Sequence, residues 1–247
     1  WNYDAPSGIN ALFSWGYTRY GQLGQNKGHD QDVSSPTQIP GTTWSKASSG
    51  KDESAAIKTD GTLWAWGRNN YGQLGQNSIA SNPDNGISSP VQIPGTTWTE
   101  VQSAWNAILA KKTDGTLWTW GDGWGGGLGQ NTSTIRVSSP VQIPGTTWNK
   151  INRTPYAAYA IKTDGTLWAW GNNGDGQLGQ NNRTQYSSPK QIPGTTWNKV
   201  AGGNSQGMAT KTDGTLWMWG NNHMGGLGQN QNGFPTRRSS PTQIPGT

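Results

Sequence analysis

Cysteine is absent from this 247-residue chain, and glutamate and histidine occur only twice each. Without cysteine, the chain can form no disulfide framework, thiolate metal site or cysteine nucleophile. His29 and His223 are far apart in the sequence, and no serine or aspartate lies at a spacing that would tie it to either of them in a triad. H-E-x-x-H, Walker A and EF-hand motifs are also missing. We therefore predict that the chain is not an enzyme and has no catalytic residue and no cofactor.

Carboxylates are few, and their arrangement disfavours both glycoside hydrolysis and a metal site. Asp52 and Glu53 form the one adjacent acidic pair, and neighbours on a strand point to opposite faces. Asp30, Asp32 and Asp84 lie in loop-like segments, but two or three oxygens are too few to predict a calcium site. The aspartates that precede glycine in each repeat are typical of turns: Asp60, Asp114, Asp164 and Asp213. We predict no metal.

Long apolar runs and concentrated charge are absent as well. No stretch approaches the length that spans a bilayer, and residues 1–20 lack a basic segment followed by an apolar one. We expect a soluble chain without membrane insertion, either already processed or part of a longer protein. The net charge is +5, but seven of the eighteen basic residues recur once per repeat and are therefore dispersed. This dispersal favours a solvated surface, so a nucleic-acid partner is not expected.

What the chain has in abundance is glycine, tryptophan and internal repetition. It contains 37 glycines and 16 tryptophans, and L-[FW]-x-W-G occurs five times. Each copy is followed by G-[QG]-L-G-Q-N, a variable segment and S-S-P-x-Q-I-P-G-T, and four copies continue into T-T-W. Short β segments with a period near fifty residues are typical of propeller blades. We predict one all-β domain over residues 1–247, a propeller of about five four-stranded blades, with repeats that begin near Leu12, Leu63, Leu117, Leu167 and Leu216.

The strands of one repeat follow from alternation and turn residues. In the last repeat we predict strands over 197–200, 206–211, 215–220 and 242–245, and equivalent strands in the others. The Asp-Gly dipeptide between the second and third strands indicates a tight hairpin, because glycine adopts a positive φ without cost. By this assignment, the T-D-G and P-G-T turns lie at one end of every blade. The variable segments then gather at the opposite end.

The pattern G-x-L-[FW]-x-W-G-x-N-x-x-G-Q-L-G, followed by a proline-bounded strand, resembles the repeat of the regulator of chromosome condensation family, the RCC1-like β-propellers. The resemblance covers nearly the whole chain and implies the propeller fold. Members similar to the eukaryotic founder have seven blades and act as guanine-nucleotide exchange factors or chromatin scaffolds. Others resemble ubiquitin-ligase modules, photoreceptors, or bacterial and phage surface proteins. The K-T-D-G-T-L-W-x-W-G wording is more similar to the bacterial and phage members.

Five near-identical units depart from the seven of the founder, and the ends of the chain leave closure of the ring open. The first unit begins with L-F-S-W-G, after residues 1–11, and the fifth ends without a new T-T-W strand. This count gives four full blades and a half. Either residues 1–11 supply the missing edge or the chain is a segment of a longer ring. Since an unpaired edge invites association, self-assembly or incorporation into a larger assembly is also an expectation.

Most of the tryptophans are predicted to be framework. Nine lie in L-[FW]-x-W-G and four in T-T-W, so we expect these thirteen to pack in the core, where each buries roughly 150–250 Å². Trp1, Trp105 and Trp124 fall outside the pattern. Trp105 and Trp124 are predicted at the variable end of the same blade, where they could bind a ligand or add to the packing.

The variable segments are rich in the residue types of adaptable recognition surfaces. Drift after duplication explains such variation equally simply. The candidate ligand-binding residues are Trp105, Trp124, Tyr17, Arg19, Arg68, Tyr71, Arg153, Tyr156, Asn204, Gln206 and His223. Together with the resemblance, they suggest a recognition or adhesion module for a glycan or cell-surface protein, displayed outside the cell or on a virion. The alternatives are an intracellular exchange factor or scaffold in the cytoplasm and an architectural assembly subunit.

Overall fold

The computed structural model describes residues 10–27, 31–82, 86–231 and 237–246. Eighteen strands in these ranges form five antiparallel sheets, one for each sequence repeat, which confirms the all-β propeller fold. The first strand of each of the last three sheets packs against the first two strands of the sheet before it. The blades therefore follow one another in chain order.

Among the described residues, the first repeat contributes two strands and each later repeat contributes four. The half-blade, or blade 1, contains β1 (Phe13–Gly16) and β2 (Val33–Gln38). Blade 2 contains β3 (Trp44–Ser49), β4 (Glu53–Lys58), β5 (Leu63–Gly67) and β6 (Ile87–Gln92). Blade 3 contains β7 (Trp98–Ala104), β8 (Ala107–Lys112), β9 (Leu117–Asp122) and β10 (Arg136–Ile143).

The last two blades repeat this order. Blade 4 contains β11 (Trp148–Arg153), β12 (Ala157–Lys162), β13 (Leu167–Gly171) and β14 (Tyr186–Ile192). Blade 5 contains β15 (Trp197–Gly202), β16 (Gln206–Lys211), β17 (Leu216–Gly220) and β18 (Arg238–Gln243). Short 3₁₀ turns follow the third strand in blades 3 and 5, at Trp124–Gly126 and His223–Gly225.

The predicted Asp-Gly hairpin recurs at the invariant end of the complete blades. In blade 2, Asp60 Oδ1 accepts hydrogen bonds from the Thr62 N–H at 2.9 Å and the Thr62 hydroxyl at 2.7 Å, and these bonds lower the pKa of Asp60. The Thr62 hydroxyl in turn accepts the indole N–H of Trp64 at 2.9 Å. One carboxylate therefore fixes both the turn and the first tryptophan of the next strand.

Two tryptophans of the third strand pack on the tryptophan of T-T-W. In blade 3, the ring of Trp98 lies 6.2 Å from that of Trp118 and 6.1 Å from that of Trp120. The ammonium of Lys112, the lysine of K-T-D-G, lies 4.7 Å from the centre of the Trp98 ring and 4.5 Å from that of Trp118. Such cation–π contacts assign this repeated lysine to the framework, because its charge is held on the indole faces.

The junction between consecutive blades is built from three recurring hydrogen bonds. The indole N–H of Trp120 donates to the main-chain carbonyl of Gln73 in the blade before it, at 2.9 Å. Asn77 N–H donates to the carbonyl of Ser138 in the following blade, and the Ser139 hydroxyl donates to Asn77 Oδ1. The equivalent indole bonds join Trp66 to Gln22, Trp170 to Gly127 and Trp219 to Gln177. Each of the first four G-x-L-G-Q-N loops therefore binds the next blade.

The predicted strand positions are confirmed except at the fourth strand. In the last repeat that strand runs over Arg238–Gln243, so it begins four residues before the predicted 242–245. A shift of register between Met218 and Gly220 shows a bulge opposite this strand. The bulge lets the S-S-P segment continue the pairing, since proline is tolerated where the ladder is interrupted.

The first repeat has two strands among the described residues, in agreement with the expectation of four full blades and a half. The prediction that all thirteen framework tryptophans are buried is wrong. Trp15 is 59% exposed, whereas its counterparts in blades 2 to 5 are at most 1% exposed: Trp66, Trp120, Trp170 and Trp219. The reason is that each counterpart is covered by the loop of a preceding blade. Trp1 lies outside the described residues.

Candidate functional site

The variable end of blade 3 presents two aromatic side chains. Trp105 occupies the two-residue turn between β7 and β8, where its φ of 54° lies in the left-handed region. Tryptophan rarely adopts this conformation, because its Cβ crowds the backbone. Trp124 follows β9, and its main-chain N–H donates to Asp122 Oδ1 at 3.1 Å. Both indoles are exposed, Trp105 by 41% and Trp124 by 55%.

Tyr156 of blade 4 brings these two tryptophans into one cluster. It lies in the turn between β11 and β12, and its ring centre is 4.9 Å from that of Trp105 and 5.7 Å from that of Trp124. Both pairs are edge-to-face, a favoured arrangement of aromatic rings. The turn after one strand and the connection after another therefore meet at the same end of neighbouring blades. This contact confirms, for blades 3 and 4, that the variable segments gather there.

A cavity of about 340 Å³ lies beside this cluster. Its lining includes Tyr71 of blade 2, Trp105, Asp122 and Trp124 of blade 3, and Arg153 and Tyr156 of blade 4. Five of these six residues, all except Asp122, are among the eleven candidate binding residues predicted from the sequence. We call this cavity, with these six residues, the aromatic pocket.

Arg153 gives the aromatic pocket a buried cation. Its guanidinium Nη1 donates to the carbonyl of Gly127, the same oxygen that accepts the indole N–H of Trp170 at 3.1 Å. Burial lowers the pKa of Arg153 to about 10, and the negative charges of Asp122 and Glu53 oppose this fall. Arg153 therefore carries its charge at neutral pH and also fastens blade 3 to blade 4.

Glu53 is the second buried ionisable group of this region. Its Oε1 accepts the Ser103 hydroxyl of the next blade at 2.6 Å, while burial raises the pKa of Glu53 to about 8. Its neighbour Asp52 turns the other way and forms an ion pair with Arg68 at 3.1 Å. The two carboxylates therefore have different partners, Ser103 for Glu53 and Arg68 for Asp52.

The other six nominated residues lie away from the aromatic pocket. Tyr17 borders a groove beside Trp15 in the half-blade. Arg19 and Arg68 both lie over the ring of Tyr20, at 5.5 and 4.7 Å from its centre. The remaining three belong to blade 5: Gln206, whose amide donates to the Asn221 carbonyl at 2.7 Å, and the exposed Asn204 and His223.

Sequence reasoning missed Asp122 and Arg136. The guanidinium of Arg136 lies 4.6 Å from the centre of the Tyr71 ring. Arg136 of β10 lies opposite Asp122 of β9 in the register of these two antiparallel strands. Asp122 belongs to the variable D-G-W-G segment that also contains Trp124, so its position could have nominated it. Arg136 gave no such signal, because its contact with Tyr71 joins two different blades.

The described residues contain neither a metal-binding cluster of three or more His, Cys, Asp or Glu side chains nor a helix long and apolar enough to cross a bilayer. Of the acidic residues considered for calcium, Asp30 and Asp84 lie outside the described residues, as does His29. The N–H of Thr18 donates to Asp32 Oδ1 at 3.1 Å, so this carboxylate orders its own loop.

Two curated proteins illustrate what the sequence is similar to. The ultraviolet-B receptor UVR8 of Arabidopsis thaliana is 31% identical over 130 residues, which are 51% of this chain and 28% of the receptor. The secretion-regulating guanine nucleotide exchange factor of Mus musculus is 29% identical over 139 residues, which are 51% of this chain and 29% of that protein. The chain therefore spans less than a third of the length of either relative.

A solved structure shows the same fold over nearly the whole chain. Prp20p of Saccharomyces cerevisiae superposes with a TM-score of 0.79 at 20% identity, covering 96% of this chain and 60% of that one. These three similar proteins are eukaryotic. The family profile of the regulator of chromosome condensation (RCC1) repeat matches residues 10–57, 60–109 and 164–210, and a second profile of the same description matches residues 44–73. These matches cover more than half of the sequence, and the chain belongs to the RCC1 repeat family.

Proposed function

We propose that the chain is a non-catalytic recognition module that binds a protein partner through the aromatic pocket. The observation that carries this proposal is the conformation of Trp105. A large indole is held in a left-handed turn and left 41% exposed, in edge-to-face contact with Tyr156 of the next blade. Strained residues of this kind cluster at ligand sites, because the surrounding structure has to enforce them.

The chemistry of the aromatic pocket suits an anchor for a partner side chain. Tryptophan, tyrosine and arginine dominate the energetics of protein interfaces, because they bury large areas, and the two aromatic side chains also lose little conformational freedom. Trp105 and Trp124 supply apolar faces, while Asp122 and Arg153 supply an acceptor and a cation within the same cavity. Because Gly127 and Tyr156 pack against these groups, the pocket is largely formed before any ligand arrives.

Similarity to known proteins supports a protein as the partner. Prp20p, which shares the fold, has binding properties toward Gsp1p and histones. A glycan is the other partner to test, because an aromatic face also stacks on sugar rings. The resemblance to bacterial and phage members favours display of the aromatic pocket at a cell or virion surface. Binding of the purified chain to a glycan array tests for a glycan partner.

The proposal is tested by comparing variants in quantitative affinity capture. The double variant Trp105→Ala, Trp124→Ala removes both exposed faces, whereas Met208→Ala removes an exposed apolar side chain from blade 5. Partners that depend on the aromatic pocket should be lost with the double variant and kept with Met208→Ala. Calorimetry on a captured partner should then give an affinity at least about tenfold weaker for the double variant, since 1.4 kcal/mol is tenfold. Equal binding by all three proteins would refute the proposal.

A second candidate is guanine-nucleotide exchange, favoured by the similarity to the secretion-regulating exchange factor of mouse. In this role the propeller would bind a small GTP-binding protein and accelerate release of its nucleotide. The test is the release of a fluorescent guanine nucleotide from a panel of small GTPases, with and without the chain. Accelerated release that Trp105→Ala abolishes would assign the aromatic pocket to exchange. Unchanged release throughout the panel would exclude this candidate for those GTPases.

A further inference from the structure

Each complete blade contains three framework tryptophans, and one of the three has a buried indole N–H without an acceptor. In blade 3, the indole of Trp118 donates to the hydroxyl of Thr116 at 2.9 Å. The indole of Trp120 donates to the Gln73 carbonyl, also at 2.9 Å. Trp98, the tryptophan of T-T-W, is 2% exposed and has no acceptor for its Nε1–H among the described residues. The same is true of its counterparts in blades 2, 4 and 5: Trp44, Trp148 and Trp197.

The recurrence of this unpaired donor makes it a property of the repeat. Most buried polar groups have a hydrogen-bond partner, because a buried N–H that loses its bond to water gains nothing in return. The other two indoles of each complete blade are bonded every time. The four unpaired indoles therefore indicate an acceptor that the described residues do not supply.

A lysine ammonium lies beside each of these indoles. The ammonium of Lys112 is 4.7 Å from the centre of the Trp98 ring, and its counterparts in the other complete blades are 4.9–5.0 Å from theirs. The cation–π contact uses the charge of the ammonium but none of its three N–H donors. Within the described part of the chain, the Lys112 ammonium forms neither a hydrogen bond nor an ion pair. Each complete blade thus has two kinds of unused donor side by side.

The glycine of P-G-T lies next to both donors. A Cβ built on Gly95 would be 3.5 Å from the ammonium nitrogen of Lys112 and 3.7 Å from Nε1 of Trp98. The φ of Gly95 is 96°, a conformation that glycine adopts readily, so the repeat keeps a residue without a side chain at this point. In the other complete blades the corresponding Cβ would be 3.3–3.6 Å from the indole nitrogen, at Gly41, Gly145 and Gly194.

In blade 2 these groups border a cavity of about 340 Å³, whose lining includes Gly41, Trp44, Lys58 and Trp64. Lys58 is half-buried, whereas the indole nitrogen of Trp44 is shielded from solvent. The ammonium is therefore the outer donor and the indole N–H the inner one. Because a lysine side chain is flexible, its tip can turn aside and admit a ligand to the indole.

We propose that each complete blade binds one carboxylate at the turn site, which we define in blade 3 as Gly95, Trp98 and Lys112 and in the other blades as their counterparts. One carboxylate oxygen accepts the indole N–H, and the other accepts an N–H of the ammonium. Both unused donors are then satisfied, and the single negative charge balances the single cation. A phosphate group would bring a charge of about −1.5 to −2 to a partly buried site that holds one cation.

The turn aspartates of the chain do not provide this carboxylate. In blade 3, Asp114 Oδ1 accepts the N–H of Thr116 at 2.9 Å and its hydroxyl at 2.6 Å. The carboxylate is therefore committed to the hairpin, and the ligand comes from elsewhere. The turn sites lie at the invariant end of the blades and share no residue with the aromatic pocket, so this proposal is independent of the recognition role.

The first test follows the indole N–H resonances by proton–nitrogen correlation NMR during a titration with sodium acetate, with the ionic strength held constant by sodium chloride. The resonances of Trp44, Trp98, Trp148 and Trp197 should move downfield, because a new hydrogen bond deshields the proton. The eight bonded framework indoles are the controls and should not move. Single substitutions such as Trp98→Phe assign the resonances.

Lys112→Gln removes one ammonium and leaves three turn sites as internal controls. The affinity for acetate measured at Trp98 should fall by at least about tenfold, while the affinity at the other three indoles should stay within about twofold. Lys112→Arg restores the cation and should recover much of the binding. Unchanged resonances of the other three indoles would show that each variant keeps the fold.

A comparison of acetate with a glutamate oligomer identifies the source of the carboxylate. Several turn sites on one rigid body favour a partner that carries several carboxylates, because linked groups bind at a high effective concentration. At equal carboxylate concentration, the oligomer should bind more tightly than acetate by at least about tenfold. Equal binding per carboxylate would assign the turn sites to free carboxylates.

Three results would overturn the proposal. The first is that the resonances of the four unpaired indoles stay still throughout the acetate titration. The second is that the bonded indoles move as far as the unpaired ones, since the response would then not depend on an unused donor. The third is that Lys112→Gln leaves the response of Trp98 unchanged.

Discussion

The indole N–H of Trp120 donates a hydrogen bond to the main-chain carbonyl of Gln73, one blade earlier, at 2.9 Å. The same ring packs on Trp98 of its own blade at 6.1 Å and is fully buried. One side chain therefore joins a strand to the core of its blade and that blade to its predecessor. The repetition of this arrangement in blades 2 to 5 makes it the main structural unit of the protein.

We expect Trp120→Ala to lower the free energy of unfolding by about 3–5 kcal/mol. The substitution leaves a cavity between two blades and a buried carbonyl at Gln73 without its donor. Urea unfolding followed by circular dichroism measures this loss. Trp120→Phe keeps much of the volume but not the donor and should fall between the alanine variant and the wild type.

Trp15→Ala is the matched control, because Trp15 is the equivalent residue of the half-blade and is 59% exposed. Its effect on the free energy of unfolding should be below about 1 kcal/mol, as for most surface substitutions. A loss as large as that of Trp120→Ala would show that Trp15 is packed against other groups and would contradict its exposure.

The glycines that face the indoles give a second prediction. A Cβ at Gly129 would lie 2.9 Å from Nε1 of Trp170, whereas a Cβ at Gly228 would meet only Cδ1 of Ile244 at 3.4 Å. Both glycines have similar positive φ values, 68° and 62°, so alanine suffers the same backbone strain at each. Thermal unfolding at low protein concentration should therefore show a larger loss for Gly129→Ala than for Gly228→Ala. Equal losses would mean that backbone strain alone decides the effect.

Substitutions of Trp105 should separate its contribution to partner binding from its effect on the free energy of unfolding. Trp105→Gly should be more stable than Trp105→Ala by about 1 kcal/mol, because glycine adopts the φ of 54° without the Cβ penalty. Both variants should have melting temperatures near that of the wild type and should lose partner binding. A large destabilisation in both would show that the indole belongs to the core.

Glu53 should make stability depend on pH. Burial raises the pKa of Glu53 from 4.5 to about 8, so the folded protein keeps a proton that the unfolded chain releases as the pH rises from 4.5 to 8. The free energy of unfolding should fall across this window, by on the order of 5 kcal/mol, and level off above it. Glu53→Gln should abolish this slope and be the more stable protein at pH 8, as chemical unfolding at several pH values would show. An unchanged slope would mean that other groups produce it.

Prediction from the sequence succeeded where the repeat imposes local geometry. The Asp-Gly turns, the first three strands of each complete repeat and the burial of Trp66, Trp120, Trp170 and Trp219 all follow from spacing and turn chemistry. Because five copies of the repeat align in register, a residue that departs from the pattern in one copy does not obscure the strand and turn positions. The start of the fourth strand was missed, because a bulge allows pairing that the alternation of residues does not show.

The candidate site was foreseen in part. Trp105 and Trp124 stood out because they fall outside the repeat, and the structure places both beside Tyr156 and Arg153. Arg19, Arg68 and Gln206 were nominated from the variable segments, yet their contacts lie outside the aromatic pocket. Sequence variation marks the variable end of the blades, but it does not say which of the loops face one another.

The sequence by itself determined the class of fold, the order of strands and the division into an invariant end and a variable end, because these depend on periodicity and turns within one repeat. The tertiary structure alone decided which repeats touch and which surfaces stay open. Trp15 and Trp66 occupy equivalent positions in their repeats, and one is exposed while the other is buried. The physical reason is that burial of a blade face comes from the neighbouring blade, so identical residues differ when their neighbours do.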